Sequence, residues 1–360
     1  MLTLPFFMSL LYDNESLIGG REILKRIFGG SKIIKGSLAA VVAIGLILGV
    51  GVNVDKDGTQ SDNGRDDIHV QETNSIQNEK HGEPGELDMH FIDVGQGDAT
   101  LITCDGEAML VDAGDNNKGT AVQLYLEKQN VDALKYIVGT HPDADHIGGL
   151  DVIITKFDIT SGEVWMPDVD NDTRTYEDVV DAITYRGYSR VAPGVGDTYS
   201  LGSAKITVLG PTHVSSESND SSIVLSMAHG KNRFLLMADA TEDEEKDILD
   251  GVKGLQRKSA SKENSKLQAN VIKIGHHGSK YSTSQEFLDE VNPSYAVISV
   301  GENAYGHPSA DCLNKLRTKG VKLFRTDEQG SIIATSDGEN LTWNCSPTDS
   351  WKAGEPKGKE

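Results

Sequence analysis

Cysteine is scarce in this sequence, which narrows the kinds of metal site that are possible. The 360 residues include three cysteines, Cys104, Cys312 and Cys345, without the paired spacing of a thiolate site. We therefore assign no cysteine to a metal. A disulfide between Cys312 and Cys345 stays open for a protein that works in an oxidising compartment.

Positive charge is also in short supply. The chain has 34 Lys and Arg against 55 Asp and Glu, and its formal net charge is −21. Proteins that hold nucleic acid tightly show a basic face, because contacts with phosphate supply much of the affinity. A nucleic-acid substrate would therefore be engaged mainly through bound metals. The alternative is that the acidity is a general surface property that keeps the domain soluble outside the cell.

Long apolar runs are nearly absent. One run, residues 37–52, is uncharged, mostly apolar and close to the minimum length that spans a bilayer as a helix. A single run cannot build a membrane channel of many helices. Basic residues precede it, so we expect segment 1–36 to be cytoplasmic and the following chain to face outward. A cleaved signal sequence is the alternative to a membrane anchor.

The remaining chain divides by composition into three parts. Residues 53–86 are polar and almost free of large apolar side chains, which predicts a flexible linker. Residues 87–345 are enough for one large α/β domain with a substantial core. Residues 346–360 have the composition of a loose tail.

One segment concentrates potential metal ligands. Residues 140–149, THPDADHIGG, contain two imidazoles and two carboxylates within six positions: His141, Asp143, Asp145 and His146. This set suits one or two divalent cations and is costly to bury unpaired. The apolar run 134–138 predicts a buried strand, so the ligands would lie on the loop at its carboxyl end. A polar surface loop is the alternative.

Further apolar strands end in the same kinds of side chain. These strands are followed by Asp112, by Asp239 and by the pair His276 and His277. One carboxylate at a strand end is usually a helix cap or a turn residue. Several such ends together with the dense loop are not explained that way.

The segments also form a weak internal repeat. Residues 98–112 and 220–239 each predict a hairpin, and each leads through a helix to another strand. Two similar halves would bring their strand ends together. The alignment pairs Asp98 with Asp220, Asp112 with Asp239, and His141 with His276 rather than His277.

Six motifs in this order resemble the metallo-β-lactamase fold hydrolases, and more narrowly the metal-hydrolase domain of the ComEC/Rec2 competence proteins that handle incoming DNA. The motifs are FIDVGQGD at 91–98, VDAG at 111–114, THPDADHIGG at 140–149, NDSSIV at 219–224, GHHGS at 275–279 and YGHP at 305–308. The resemblance covers residues 87–345. It implies an α/β fold, a four-layer αββα sandwich with a two-metal site at the top edge of its sheets.

The resemblance also implies the ligands of two divalent metal ions. They are His141 and Asp143 on the first ion, Asp145 and His146 on the second, Asp239 between the two, and His276 or His277 completing the second. The commoner pattern of the superfamily has histidine at the position of Asp143 and often another near Asn219. This chain departs from both, so its first site is richer in oxygen and manganese competes with zinc.

Roles for the remaining polar residues follow from the resemblance and from their positions. Asp145, Asp98 and His307 are candidate catalytic residues, with His307 as a proton donor to the leaving group. An ordinary loop histidine is the alternative for His307. Asp112 would orient a histidine or the loop 140–149, or else cap the strand end.

Other residues would border the substrate. Gln96, Gly97 and Asp98 would form a loop at the edge of the site. Asn219 and Asp220 would lie near the first metal. Asp220 is a ligand, a substrate-side group or a turn residue. Three residues after the histidines could donate hydrogen bonds to a phosphate: Ser279, Lys280 and Tyr281.

The leading functional hypothesis is a metal-dependent hydrolase with a dinuclear site, a phosphodiesterase or nuclease that acts on DNA outside the membrane. Two divalent ions exceed the charge of three aspartates, and the positive centre would attract a phosphodiester. The protein would be anchored in the cell membrane or secreted, with no protein partner evident, and a DNA transporter is excluded for this chain alone. A hydrolase of small or wall-linked phosphoesters and a non-catalytic metal-containing ectodomain are the alternatives.

Overall fold

The computed structural model describes residues 85–215, 217–258 and 267–356, and within 252–258 it describes the backbone alone. The predicted cytoplasmic segment, the membrane anchor and nearly all of the predicted linker lie outside these ranges. Within them, no helix combines the length and apolarity needed to cross a membrane.

The described residues form seventeen strands and eight α-helices. The strands are β1 (Leu87–Phe91), β2 (Thr100–Cys104), β3 (Glu107–Val111), β4 (Ala133–Leu134), β5 (Tyr136–Val138), β6 (Asp158–Ile159), β7 (Glu163–Trp165), β8 (Ser189–Val191), β9 (Thr198–Leu201), β10 (Ala204–Gly210), β11 (Val224–His229), β12 (Asn232–Leu236), β13 (Val271–Lys273), β14 (Tyr295–Ile298), β15 (Lys322–Arg325), β16 (Ile332–Ser336) and β17 (Leu341–Trp343). The helices are α1 (Gly119–Lys128), α2 (Ala144–Ile147), α3 (Leu150–Lys156), α4 (Arg174–Arg186), α5 (Glu242–Lys258), α6 (Gln285–Val291), α7 (Ala310–Lys319) and α8 (Thr326–Gln329). Short 3-10 turns occur at Asn219–Ser221 and Gly275–Gly278.

Strand pairing among the described residues gives two large mixed sheets. The first has the order β17-β16-β1-β2-β3-β5-β7-β8, and the second has the order β15-β14-β13-β12-β11-β10-β9. Strands β4 and β6 form a separate parallel pair. Each large sheet changes from antiparallel to parallel pairing, at β3–β5 in the first and at β12–β13 in the second.

Side chains alternate between the faces of each strand and so divide the core into three clusters. One cluster lies between the two sheets and contains Phe91, Phe234 and Phe324. A second packs α1, α3 and α4 on the outer face of the first sheet, and a third packs α5, α6 and α7 on the outer face of the second. The layers therefore run helix, sheet, sheet, helix, and the predicted αββα architecture is confirmed.

The two halves share a topology. Strands β2 and β3 form an antiparallel hairpin, and β3 pairs in parallel with β5. Strands β11 and β12 form the matching hairpin, and β12 pairs in parallel with β13. The strand ends of the two halves meet where His146 Nε2 lies 3.2 Å from Asp239 Oδ1.

Residues 346–356 lie on the domain, so the prediction of a loose tail was wrong for them. Gly354 N donates a hydrogen bond to Pro308 O at 2.9 Å. Trp351 packs against the outer cluster of the second sheet. No periodicity of apolar residues indicates that segment 346–356 packs on the domain, because its apolar contacts are few and widely spaced.

The three cysteines are free thiols. Burial raises the pKa of Cys312 to about 12, as is typical of an unreactive core cysteine. The disulfide between Cys312 and Cys345 that the sequence left open is not formed in this structure.

Replacing Phe234 by alanine tests the core between the sheets. Phe234 is fully buried, so Phe234→Ala should lower the free energy of unfolding by about 3–5 kcal/mol in urea denaturation. Tyr185→Ala is the control, because Tyr185 is 81% exposed on α4 and should cost at most about 0.5 kcal/mol. Equal losses in the two variants would contradict the assigned core.

Candidate metal centre

The centre lies where the carboxyl ends of strands from both sheets meet. Asp112 follows β3, and residues 140–149, which we call the metal loop, follow β5. Asp239 follows β12, and His276 and His277 follow β13. Topology alone therefore collects most of the predicted ligands at one edge of the sandwich.

His141 and His146 are fully buried at the start of this loop. Burial and the neighbouring His146 lower the pKa of His141 to about 3, so its imidazole is neutral at pH 7. Burial opposes a charge on His146 too, but Asp239 and Asp112 outweigh it and hold its pKa well above the ordinary value. His146 would therefore keep a proton on Nε2 beside Asp239, at a position that a divalent cation can take.

Asp112 fixes the orientation of His146. Its carboxylate accepts hydrogen bonds from His146 Nδ1 at 2.8 Å, from Thr140 N at 2.9 Å and from Thr140 Oγ1 at 2.7 Å. The backbone of Asp112 has φ +59°, which turns its side chain beneath the metal loop. With a hydrogen on Nδ1, the imidazole presents Nε2 to the other ligands. This is the arrangement in which a carboxylate orients a metal-binding histidine.

Asp239 and His277 face the metal loop from the second sheet. Asp239 is 3% exposed, and its Oδ2 lies 3.5 Å from His277 Nε2. His277 Nδ1 donates to Ser299 O at 2.9 Å, which again aims Nε2 at the centre. Burial works against the ionised form of Asp239, but His277 and His146 hold its pKa well below the usual range. Asp239 is thus an anion at neutral pH.

The structure distinguishes the two adjacent histidines. His277 Nε2 lies 3.3 Å from Asp145 Oδ2 and belongs to two groups of potential ligands. The His276 side chain is 23% exposed, and its Nε2 lies 3.8 Å from Asp239 Oδ2. His277, rather than His276, is therefore the better placed ligand, although the internal repeat pairs His141 with His276.

The buried histidines and aspartates fit a metal centre, because several of their ligand atoms have no hydrogen-bond partner. Five buried atoms of the cluster have no hydrogen-bond partner among the described residues: Asp98 Oδ1, His141 Nε2, His146 Nε2, His277 Nε2 and Asp239 Oδ1. Their ligand atoms fall into overlapping groups within 4.8 Å: His141, His146 and Asp239; Asp145, His146 and His277; Asp98, Asp239 and His277; Asp98, Asp112 and His146. Buried nitrogen and carboxylate atoms without partners are costly unless a cation joins them.

Asp143 stands apart from most of the other predicted metal ligands. Its Oδ2 lies 3.7 Å from His141 Nε2, but its side chain is 42% exposed and it joins none of the groups above. Asp143 Oδ1 accepts a hydrogen bond from Ser218 Oγ at 2.7 Å. Asp143 therefore lies at the open side of the centre, apart from the grouped ligand atoms.

Asp98 does not lie at the open edge where the sequence placed it. It is 3% exposed and forms an ion pair with Lys273, which is 2% exposed. Its other oxygen, Oδ1, is buried without a hydrogen-bond partner. Asp98 belongs to two groups of potential ligands. Sequence reasoning missed Lys273, although a lysine inside the apolar run 271–274 was a signal of a buried partner.

The loop before Asp98 approaches the metal loop closely. Asp98 N donates to Asp145 O at 3.0 Å. A Cβ on Gly97, whose φ is +132°, would lie 2.3 Å from the same oxygen. Gln96 Oε1 accepts from Gly301 N at 3.4 Å, so Gln96 joins two loops rather than facing a ligand.

Asn219 and Asp220 border the centre without completing it. Asn219 Nδ2 lies 3.5 Å from His276 Nδ1. Asp220 accepts a hydrogen bond from Thr241 Oγ1 and appears in none of the ligand groups among the described residues. Asp220 thus stabilises the turn at Asn219–Ser221 and is not placed as a third ligand.

The three residues that follow in the same loop, Ser279, Lys280 and Tyr281, differ in solvent exposure. Ser279 is 1% exposed, and its Oγ accepts a hydrogen bond from Tyr281 N within the loop. Tyr281 is 63% exposed, and Lys280 Nζ lies 4.8 Å from the centre of its ring. Lys280 and Tyr281 are therefore accessible to a substrate, whereas Ser279 is not.

His307 lies over the histidines of the centre. Its ring centroid is 5.2 Å from that of His276 and 5.6 Å from that of Tyr305. Burial and the neighbouring histidines lower its pKa to about 4. The imidazole is therefore neutral at pH 7, which suits a single hydrogen bond to substrate better than the storage of an acidic proton.

Comparison with known proteins gives consistent matches. Residues 92–302 match the model of the metallo-beta-lactamase superfamily. ComE operon protein 3 of Bacillus subtilis is 28% identical over 273 residues, covering 69% of this chain and 32% of that protein. Recombination protein 2 of Haemophilus influenzae is 28% identical over 248 residues, covering 67% of this chain and 28% of that protein. The metallo-beta-lactamase fold protein YhfI from Bacillus subtilis, a solved structure, covers 70% of this chain and 100% of its own at a TM-score of 0.44 and 11% identity.

The chain spans about a third of the length of the curated relatives it matches. The region that matches the superfamily model, residues 92–302, includes the residues of the centre from Asp98 to His277.

Asp112→Asn tests the orientation of His146. With its oxygen accepting from Thr140 N, the amide would turn its NH₂ towards His146 Nδ1, which favours a hydrogen on Nε2, the atom that faces the other ligands. Affinity for Mn²⁺ or Zn²⁺ should fall about 10–100-fold in calorimetric titration of the metal-free protein. Asp178→Asn, at a surface ion pair with Arg174, is the control. Unchanged affinity in Asp112→Asn would contradict this role.

Proposed function

This chain belongs to the metallo-beta-lactamase superfamily, and we propose that it is a metal-dependent phosphodiesterase that cleaves DNA. The observation that carries the proposal is the convergence of unpaired Nε2 atoms from His141, His146 and His277 on the Asp239 carboxylate. Such a set holds divalent cations at the edge of the sheets. The similarity to competence and recombination proteins supports nucleic acid as the substrate.

The protein residues prepare the reaction around this centre. His141, His146, His277 and Asp239 would hold the cations, which when bound supply a positive charge for a phosphodiester and lower the pKa of a coordinated water. Burial acts against ionisation of Asp145, but His277 and His146 keep its pKa below the usual range. The Asp145 side chain is 34% exposed and lies 3.3 Å from His277 Nε2, so its carboxylate would be placed to accept a proton from the attacking water.

His307 would act on the opposite side of the substrate. It lies above His276 and His277 and beneath the exposed Tyr305 ring. As a neutral imidazole it can donate one hydrogen bond to a phosphate oxygen or to the leaving oxygen. Its contribution is orientation and stabilisation of charge, since its low pKa leaves little imidazolium at pH 7.

Exposed aromatic rings beside the centre support a nucleic-acid substrate. Tyr305 is 72% exposed and stacks on His307 with an angle of 29° between the rings. Tyr281 is 63% exposed beside Lys280. Bases stack on such rings without regard to sequence, and one lysine can meet a flanking phosphate. Binding through stacking and through metals is compatible with the net charge of −21.

The metal remains part of the proposal. The groups of ligands mix imidazole nitrogen with carboxylate oxygen, a set that accepts either Zn²⁺ or Mn²⁺. Asp143, where a histidine is commoner in the family, adds an oxygen at the open side and favours Mn²⁺. We also propose that residues 37–52 attach the protein to the cell membrane with this domain outside, or direct its secretion.

Asp239→Asn should abolish hydrolysis. The full chain, loaded with Mn²⁺ or Zn²⁺ in parallel, should cleave labelled single-stranded DNA and bis-(p-nitrophenyl) phosphate. Loss of the central carboxylate should reduce both rates at least about 100-fold and lower the metal content measured by mass spectrometry. Asp151→Asn, on helix α3, is the matched control.

The pattern of cleavage decides between the candidate functions. Cleavage of the small ester without cleavage of DNA would favour a hydrolase of small or wall-linked phosphoesters. Bound metal without cleavage of either substrate would favour the non-catalytic ectodomain.

Tyr305→Ala tests the stacking of bases. A stacked base contributes about 1–3 kcal/mol, so KM for single-stranded DNA should rise about 5–150-fold while turnover of bis-(p-nitrophenyl) phosphate stays unchanged. Tyr305→Phe should retain the parent KM, since it keeps the ring. Tyr185→Ala, at an exposed tyrosine on α4, is the control. An equal loss on both substrates would show that Tyr305 supports the centre instead of binding DNA.

A further inference from the structure

We infer that Lys273 is the positioning residue of the metal centre, because its buried ammonium group joins the three segments that carry the ligands. Lys273 ends strand β13 and is 2% exposed. A lysine at such a position is costly unless its charge is compensated. Among the described residues, no other lysine or arginine forms an ion pair with a carboxylate of this centre.

The first segment is the turn that carries Asp239. Lys273 Nζ donates a hydrogen bond to Ala238 O at 3.1 Å. Ala238 has φ +47°, a left-handed conformation that a non-glycine residue adopts at a cost. The ammonium group therefore stabilises the backbone turn that aims the Asp239 carboxylate at the histidines.

The second segment is the metal loop, which Lys273 reaches through Asp98. Lys273 forms an ion pair with Asp98 Oδ2, and Asp98 N donates to Asp145 O at 3.0 Å. Asp98 O also accepts from Gly114 N at 2.8 Å. A displacement of Asp98 would therefore move the backbone that holds Asp145.

The third segment is the turn that follows Lys273 itself. His276 and His277 come three and four positions later, and both have positive φ, +48° and +52°. His276 N donates to Ala238 O at 3.0 Å, the same oxygen that accepts from Lys273. One ammonium group thus sets the relative positions of ligands from both halves of the fold.

Lys273→Met tests the inference, because methionine keeps much of the volume and removes the charge. Metal-free full-length protein is titrated with Mn²⁺ and followed by electron paramagnetic resonance, with melting temperature measured in parallel. We expect a loss of affinity of about 10–100-fold. Asp98→Asn/Lys273→Met removes both buried charges, so it should regain melting temperature but keep at least a tenfold loss of affinity. If Lys273→Met does not fold, the Mn²⁺ affinity of the double variant tests the inference by itself.

Lys135→Met is the control, because Lys135 pairs with Glu107 at 2.7 Å and contacts none of the ligands. Parent-like affinity in the double variant would overturn the inference and reduce Lys273 to a partner of Asp98. Tighter binding in Lys273→Met would also overturn it, since Asp98 would then act as an added ligand.

The inference rests on the metal centre of the proposed function and on no particular substrate. Metal binding is measured without DNA, so a parent that binds Mn²⁺ but leaves DNA intact would refute the proposed substrate alone. A parent that binds no metal would refute the centre itself.

Discussion

The burial of several charged or polar groups at one point constrains the whole structure. Three carboxylates and three imidazoles lie at most 3% exposed where the two sheets meet: Asp98, Asp112, Asp239, His141, His146 and His277. Ionised groups can share a protein interior only when each is paired. Asp112 is paired with Thr140 and His146, and one oxygen of Asp98, Oδ2, is paired with Lys273. The atoms that remain face one another, and cations are the partners that satisfy them together.

The two halves of the fold meet this constraint in different ways. Asp112 and Asp239 occupy equivalent positions after β3 and β12, yet Asp112 lies beneath His146 whereas Asp239 faces the open cluster. In the same way, His277 reaches the centre from the second half, although the alignment pairs His141 with His276. A repeated topology thus supplies one carboxylate that orients a histidine and one that faces the other candidate ligands. The parallel strand pairs β3–β5 and β12–β13 are what bring these ends to one edge.

Much of the fold could be predicted from local patterns. Apolar strands that end in Asp112, Asp239 and the paired histidines, together with the loop 140–149, indicated the sandwich and the location of its centre. The errors concern contacts between distant residues. The pairing of Asp98 with Lys273 spans 175 positions, so composition and spacing near Asp98 could not reveal its burial. The choice of His277 over His276 depends on the φ angles of a turn, and the packing of Trp351 depends on a single aromatic ring, which no periodicity signals.

Anomalous X-ray diffraction from crystals of the manganese- or zinc-loaded protein would locate the cations at this edge of the sandwich. We expect two anomalous peaks there, one beside His141, His146 and Asp239 and the other beside His277 and Asp239. Peaks confined to the separate group of His213, Glu244 and Asp247, or no peak beside the three buried histidines, would contradict the assigned centre.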